Sequence, residues 1–174
     1  AIPLLWSFMY EYQKSRILSF FSPNQDALGS GYHLAQSKIS LGSGGLFGKG
    51  YMNGTQSQLD FLPENHTDFI FSAFGEEFGF IGVLILITLY VLVTLRGISI
   101  SIKATDNFSR ILSGTLILTI FLYVLVNIGM VVGILPIVGA PLPFMSYGGT
   151  SMLTVFSALG IIMSIKSHQR LMRK

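Results

Sequence analysis

The chain has 174 residues, 51% of them hydrophobic and 11% charged, with a mean hydropathy of +0.63. A soluble domain carries about 25% charge, so these values define a membrane protein. The absence of cysteine excludes a disulfide framework, a thiolate metal site and a cysteine nucleophile, and the net charge of +3 is not gathered on a basic, aromatic-rich face of the kind that binds nucleic acid.

Taken in order, residues 1–10 read as the end of a transmembrane helix, with Trp6 and Tyr10 at interfacial depth, where amphipathic rings are favoured. The sequence begins at Ala1 without a basic leader, which resembles the tail of an earlier span more than a signal peptide. A C-terminal fragment of a larger polytopic protein is expected. Residues 11–77 form the longest polar region, rich in Gly and Ser, and are expected to be a large extracellular or periplasmic loop with short interfacial helices.

Residues 78–95 carry no charge and match the roughly 18–20 residues that cross a bilayer; Arg96 can snorkel at the end. Residues 96–110 then form a short basic loop. From Ile111 to Ile165 there are 55 residues without a charge, too many for one span. Pro136, Pro141 and Pro143, with Gly133 and Gly139, divide them, because proline cannot continue the helical ladder. Helices are therefore predicted at 111–135 and 146–165, separated by a Pro-rich loop at 136–145 and followed by a basic tail at 166–174. The expected architecture is all-α and polytopic: three full transmembrane helices, the end of another, and one large outer loop.

Charge sets the orientation. Residues 11–77 hold seven acids against four Lys or Arg, whereas the rest of the chain holds seven Lys or Arg and one acid, Asp106. The positive-inside rule puts 96–110 and the C-terminus in the cytoplasm, and 11–77 and 136–145 outside.

Within the outer region, Gly42-Ser-Gly-Gly-Leu-Phe-Gly-Lys-Gly50 invites a phosphate-loop reading and fails it. Ser43 stands where the first Gly of that motif belongs, and Gly50 replaces the Ser or Thr after Lys49. The glycines still expose N–H groups able to form an anion nest, and Lys38 and Lys49 are the only cations between Arg16 and Arg96. Both are candidates for binding a pyrophosphate, against a plain flexible loop.

Glu64, His66 and Asp68 lie within five residues, just before a span. Ionisable groups are costly near lipid, so acids at such a place point to function; the plainer alternative is a loop ending in a helix cap. The three would suit acid–base chemistry or a divalent ion such as Mg²⁺. Glu64 and Asp68 would share a helical face at i and i+4, or Thr67 would cap a helix that starts at Asp68. Glu76 and Glu77 are expected at the membrane surface as N-terminal helix charges. Gly129-Met-Val-Val-Gly133 has the spacing that permits close approach between helices, and Asn127, inside a span, requires a hydrogen-bonding partner.

Gly44-Gly-Leu-Phe-Gly-Lys-Gly50, Gly54-Thr-Gln-Ser-Gln58, Phe61-Leu-Pro-Glu-Asn-His-Thr-Asp-Phe69, Gly75-Glu-Glu-Phe-Gly79, Val126-Asn-Ile-Gly-Met130 and Pro141-Leu-Pro-Phe-Met-Ser-Tyr-Gly-Gly149 together resemble the C-terminal part of the SEDS family, the RodA-like branch more than the FtsW-like one. The resemblance covers nearly the whole chain. It implies a bacterial plasma-membrane glycosyltransferase that polymerises lipid II into peptidoglycan strands for elongation and cell shape, working with a class B penicillin-binding protein. It also implies that Asp68 is the catalytic aspartate. Beside it, the residues themselves offer Lys38, Lys49, Gln56, Glu64 and His66 as substrate-binding candidates, the two lysines or a Mg²⁺ ion to neutralise the pyrophosphate and Glu64 and His66 to position Asp68. The alternatives are a flippase for the lipid-linked precursor and a non-catalytic scaffold for the penicillin-binding protein.

Overall fold

The computed structural model describes residues 10, 13–14, 30–55 and 67–172, with side chains to position 168. The expected end of a span at 1–10 therefore lies, apart from Tyr10, outside the described residues, as do Gln56, Glu64 and His66. The described elements are all helical: α1 (Ser30–Ser43), α2 (Ile70–Ile102), α3 (Asn107–Val132) and α4 (Gly149–Met172). The last three contain stretches long and apolar enough, by length and composition, to cross a membrane.

The helices carry large apolar side chains outward, as elements facing lipid do: Leu84, Leu92, Leu95, Ile111, Leu153 and Met163 are all exposed. Backbone and hydroxyl groups in such a setting must be satisfied internally. Accordingly Thr88, Thr94, Thr115 and Thr119 each donate to the carbonyl four residues earlier in their own helix. Where α2 meets α3, Gly97 lies flush against Ile117; a Cβ there would stand 2.4 Å from Ile117 Cγ1. Phe69, Phe71, Tyr90, Val124, Met130, Val131 and Leu142 form the core at the other end of the pair.

The three spanning helices run 70–102, 107–132 and 149–172, against the expected 78–95, 111–135 and 146–165, and two of these differences matter for the site. The charge-free window begins at 78, yet α2 begins at Ile70 and is interrupted at Gly79, which has φ 66 and ψ −167. That break withdraws the helical partners of the Glu76 and Glu77 carbonyls and of the Phe80 and Ile81 amides. The glycine-rich segment after α1 replaces them: Lys49 and Gly50 N–H donate to the Glu76 and Glu77 carbonyls (both 3.0 Å), while Phe80 and Ile81 N–H donate to the Gly45 and Leu46 carbonyls (2.9 and 3.2 Å). The glycines are there because two backbones touch. A Cβ on Gly48 would lie 2.1 Å from the Glu77 carbonyl oxygen, and one on Gly44 2.1 Å from that of Gly75.

Gly79→Ala is expected to lower the thermal unfolding midpoint in detergent. The left-handed backbone alone costs a residue with a Cβ about 1–3 kcal/mol, and the new methyl would meet Gly48 N at 2.3 Å. Gly160→Ala, with nothing within 4 Å of the added atom, is the control that should leave the midpoint near that of the parent protein.

The second difference concerns the Gly129/Gly133 pair. Gly133 takes a left-handed conformation (φ 81, ψ 31) and ends α3, its N–H reaching the Gly129 and Met130 carbonyls. Leu135 folds back over Gly129, and the Lys38 side chain lies over Gly133. The spacing thus terminates a helix and seats a loop, instead of joining two spans. The Pro-rich loop that follows is tied down by Tyr90, whose hydroxyl donates to the Pro143 carbonyl.

Candidate functional site at one end of the spans

α1, the start of α2, the end of α3 and the Pro-rich loop meet at one end of the molecule, and Asp68 sits among them. It lies half-buried in the turn Thr67–Phe69 that leads into α2. Thus α2 starts neither at Asp68 nor under a Thr67 cap: Phe69 is its N-cap residue, without a side-chain capping bond. What fixes the turn comes from far along the chain. Asn127, fully buried on α3, donates from Nδ2 to the Asp68 carbonyl at 2.9 Å and to the Ala140 carbonyl at 2.7 Å. Ser146 Oγ donates to the Thr67 carbonyl at 2.6 Å and accepts from Leu142 N–H at 2.6 Å. Phe69, 2% exposed, drives its ring into the core beside this point.

Asn127→Ala would leave two buried carbonyls without their donor, at a cost of about 1–3 kcal/mol. The expected consequence is faster hydrogen–deuterium exchange through residues 67–73 in the full-length protein; unchanged exchange there would show that the turn is held by other means.

A second polar cluster lies beneath the glycine-rich segment. Glu76 is fully buried instead of standing at a membrane surface. Its Oε1 pairs with Lys49 Nζ at 2.6 Å and accepts from Thr55 Oγ1 at 3.1 Å and Ser43 Oγ at 3.4 Å, while Oε2 accepts from Ser40 Oγ at 3.2 Å. Lys49 Nζ also donates to Thr55 Oγ1 at 2.8 Å. The charge of Lys49 is thus matched by a buried carboxylate, and the Lys49 and Gly50 amides donate to the Glu76 and Glu77 carbonyls of α2. Sequence reasoning missed the cluster because only the spacing Ser40, Ser43 on one helical flank hinted at it, and such pairs are common.

Lys38 differs. It is exposed, lies over the C-terminal end of α3, and has no acidic partner among the described residues. A cation is favoured there by the helix dipole. As for a divalent ion, no group of three His, Asp or Glu side chains among the described residues stands close enough to hold one. Asp68 is the one described member of the expected trio.

Fold and site together define a multi-pass α-helical membrane protein with a polar site at one end of its spans, built around an aspartate held by its backbone. A family model described as "Cell cycle protein" (FtsW/RodA/SpoVE) matches residues 1–171. The chain belongs to this family. It is 53% identical over 174 residues to the peptidoglycan glycosyltransferase MrdB of Escherichia coli K12, covering 99% of this chain and 47% of that protein. It is 46% identical over 159 residues to the peptidoglycan glycosyltransferase RodA of Treponema pallidum, covering 91% and 36%. Among solved structures, it superposes with a TM-score of 0.76 at 27% identity on a chain from work described as "Structural coordination of polymerization and crosslinking by a peptidoglycan synthase complex", covering 95% of this chain and 44% of that one. An aspartate-to-alanine variant of the rod shape determining protein RodA from Thermus thermophilus matches with a TM-score of 0.59 at 29% identity, covering 71% and 39%. The chain thus spans about half the length of the curated relatives it matches.

Proposed function

We propose that the protein to which this chain belongs is an inverting peptidoglycan glycosyltransferase of the bacterial plasma membrane, polymerising lipid II for elongation and cell shape. The observation that carries this reading is the 53% identity, along essentially the whole chain, to a protein named for that activity. The charge distribution supports an orientation with the C-terminus in the cytoplasm and the Asp68 turn outside, where a lipid-linked sugar would meet it.

The reaction displaces a lipid pyrophosphate from an anomeric carbon by a sugar hydroxyl of the acceptor. Its leaving group is already good, so the site has to position both sugars, accept the hydroxyl proton and stabilise charge on the departing diphosphate. In this proposal Asp68 is the base. The donor bond is α and the product bond β, an inversion that one base achieves without a covalent nucleophile. Lys38 is the described cation that remains for the diphosphate once Lys49 is committed to Glu76. Gln56, Glu64, His66 and a divalent cation stay as proposed contributors from the sequence. The complex in which a solved relative was studied, concerned with polymerisation and crosslinking, supports a class B penicillin-binding protein as partner.

The test is to purify the full-length protein with that partner and add lipid II in detergent, where no membrane barrier exists. Glycan strands are the expected product. A flippase or a non-catalytic scaffold makes none under these conditions, and an absence of polymer would overturn the proposal.

A further inference from the structure

The segment that follows α1 is held against α2 at a fixed depth. Its Lys49 and Gly50 N–H groups donate to the Glu76 and Glu77 carbonyls, and the Phe80 and Ile81 N–H groups donate to the Gly45 and Leu46 carbonyls, so residues 45–50 run beside residues 76–81. The charge-free part of α2 extends over the 18 residues from Phe78 to Leu95. At a rise of about 1.5 Å per residue it is about 27 Å long, close to the roughly 30 Å of a hydrocarbon core. Leu46 and Phe47 therefore stand level with the first turn of the membrane-crossing stretch, not in the water beyond it.

What the segment presents at that depth is apolar. Gly44-Gly-Leu-Phe-Gly48 has no side chain able to form a hydrogen bond. Phe47 is 80% exposed, and Leu46, Tyr51 and Met52 are exposed as well, as are Phe78 and Phe80 on α2. The Tyr51 ring lies 6.4 Å, centroid to centroid, from that of Phe78, at the edge of the apolar stretch, where tyrosine is favoured in a membrane. Polar groups at this level are closed on one another. Besides the four bonds to α2, Gly48 N–H donates to the Gly44 carbonyl at 2.8 Å, and the Lys49 ammonium pairs with the buried Glu76 carboxylate at 2.6 Å. Non-helical backbone at membrane depth requires such pairing, and charges there pair with each other; a loop in water requires neither. An exposed apolar patch marks a contact with protein or membrane. Its depth, its internal pairing and its continuity with the exposed apolar surface of α2 at Leu84 and Ile85 favour lipid.

We propose that residues 44–52 are not part of an aqueous loop but dip into the phospholipid leaflet on the Asp68 side, with Leu46 and Phe47 among the upper acyl chains and Tyr51 at headgroup level. The inference goes beyond the glycosyltransferase reading and does not depend on the chemistry assigned to Asp68.

The test is site-directed spin labelling of the full-length protein in nanodiscs of phosphatidylethanolamine and phosphatidylglycerol. Leu46→Cys and Phe47→Cys carry the nitroxide on an otherwise cysteine-free background, and Asp106→Cys, at an exposed position between α2 and α3, gives the aqueous reference. Labels at 46 and 47 should collide several times more often with molecular oxygen, which concentrates in lipid, than with a water-soluble nickel chelate; the reverse is expected at 106. Preferential collision with the chelate at 46 and 47 overturns the proposal, because the segment is then in water. Few collisions with either reagent overturn it too, because the remainder of the protein then covers the patch. Phe47→Trp gives a measurement without a label: its added fluorescence should be quenched by phospholipids brominated on the acyl chains, and unquenched emission contradicts insertion.

Discussion

Asp68→Asn is expected to lower the rate of lipid II polymerisation by about 10²- to 10⁴-fold, the contribution of a positioned general base, with assembly and thermal midpoint little changed. The structural reason for expecting so clean a separation is that backbone contacts hold the turn. Asn127 grips the Asp68 carbonyl and Ser146 grips that of Thr67, while the Phe69 ring anchors the next residue in the core. Asparagine has almost the same shape, so these contacts persist. It cannot take up the hydroxyl proton as a carboxylate does. Asp68→Glu, which restores the base on a stem one methylene longer, should recover only part of the activity, because small displacements of a reacting group are costly. A normal rate for Asp68→Asn would remove Asp68 from the chemistry.

The second large effect is expected at the Lys49–Glu76 pair, and it should be asymmetric. Removing one member of a buried ion pair costs about 3–5 kcal/mol, because the remaining charge is stranded. Glu76 has no exposed surface, whereas the Lys49 side chain retains 29%. Lys49→Met therefore strands a carboxylate that cannot reach water, for an expected loss near the lower end of that range, about 3 kcal/mol, since the Ser40, Ser43 and Thr55 hydroxyls still donate to it. Glu76→Gln leaves Lys49 able to turn toward solvent and should cost less. The double variant Lys49→Met with Glu76→Leu should recover part of the loss. Unfolding in detergent measures all three, and a larger loss for Glu76→Gln than for Lys49→Met would contradict the burial argument.

Beyond its energy, the pair holds the glycine-rich segment against the broken turn of α2, and the chain that leaves Thr55 returns at Thr67, one residue before Asp68. The Glu76 carboxylate and the Asp68 carbonyl are thus fastened by separate polar contacts, the first to α1 and the glycine segment, the second to α3 and through it to the Pro-rich loop.

Particular residues show what was legible beforehand. The charge-free runs at 78–95 and 111–165 announce spans because bilayer thickness requires about 20 apolar residues at a stretch, a property of sequence alone. Gly133 and Pro136 likewise mark the end of α3 through their own backbone restrictions, although the pair Gly129 and Gly133 read equally well as a helix-packing spacing. Asp68 was picked out by its setting and by a family resemblance, and Asn127 by its need for a partner. The partners themselves, the Asp68 and Ala140 carbonyls, lie 59 and 13 residues away. The burial of Glu76 is not legible in Gly75-Glu-Glu-Phe-Gly79, since nothing there says that a lysine 27 residues upstream will reach it.

The sequence by itself determined the class of protein, the apolar runs long enough to span and the aspartate worth testing, because hydrophobicity, charge and proline act along the chain. Only the tertiary structure decided that the glycines let two backbones meet at the break in α2, that Lys49 pairs with Glu76, and that Asn127 and Ser146 hold the turn at Asp68. Hydrogen-bond satisfaction is the physical reason. Which donor meets which acceptor depends on groups brought together from distant parts of the chain, and the cost of leaving one unmatched appears only once the others have been paired.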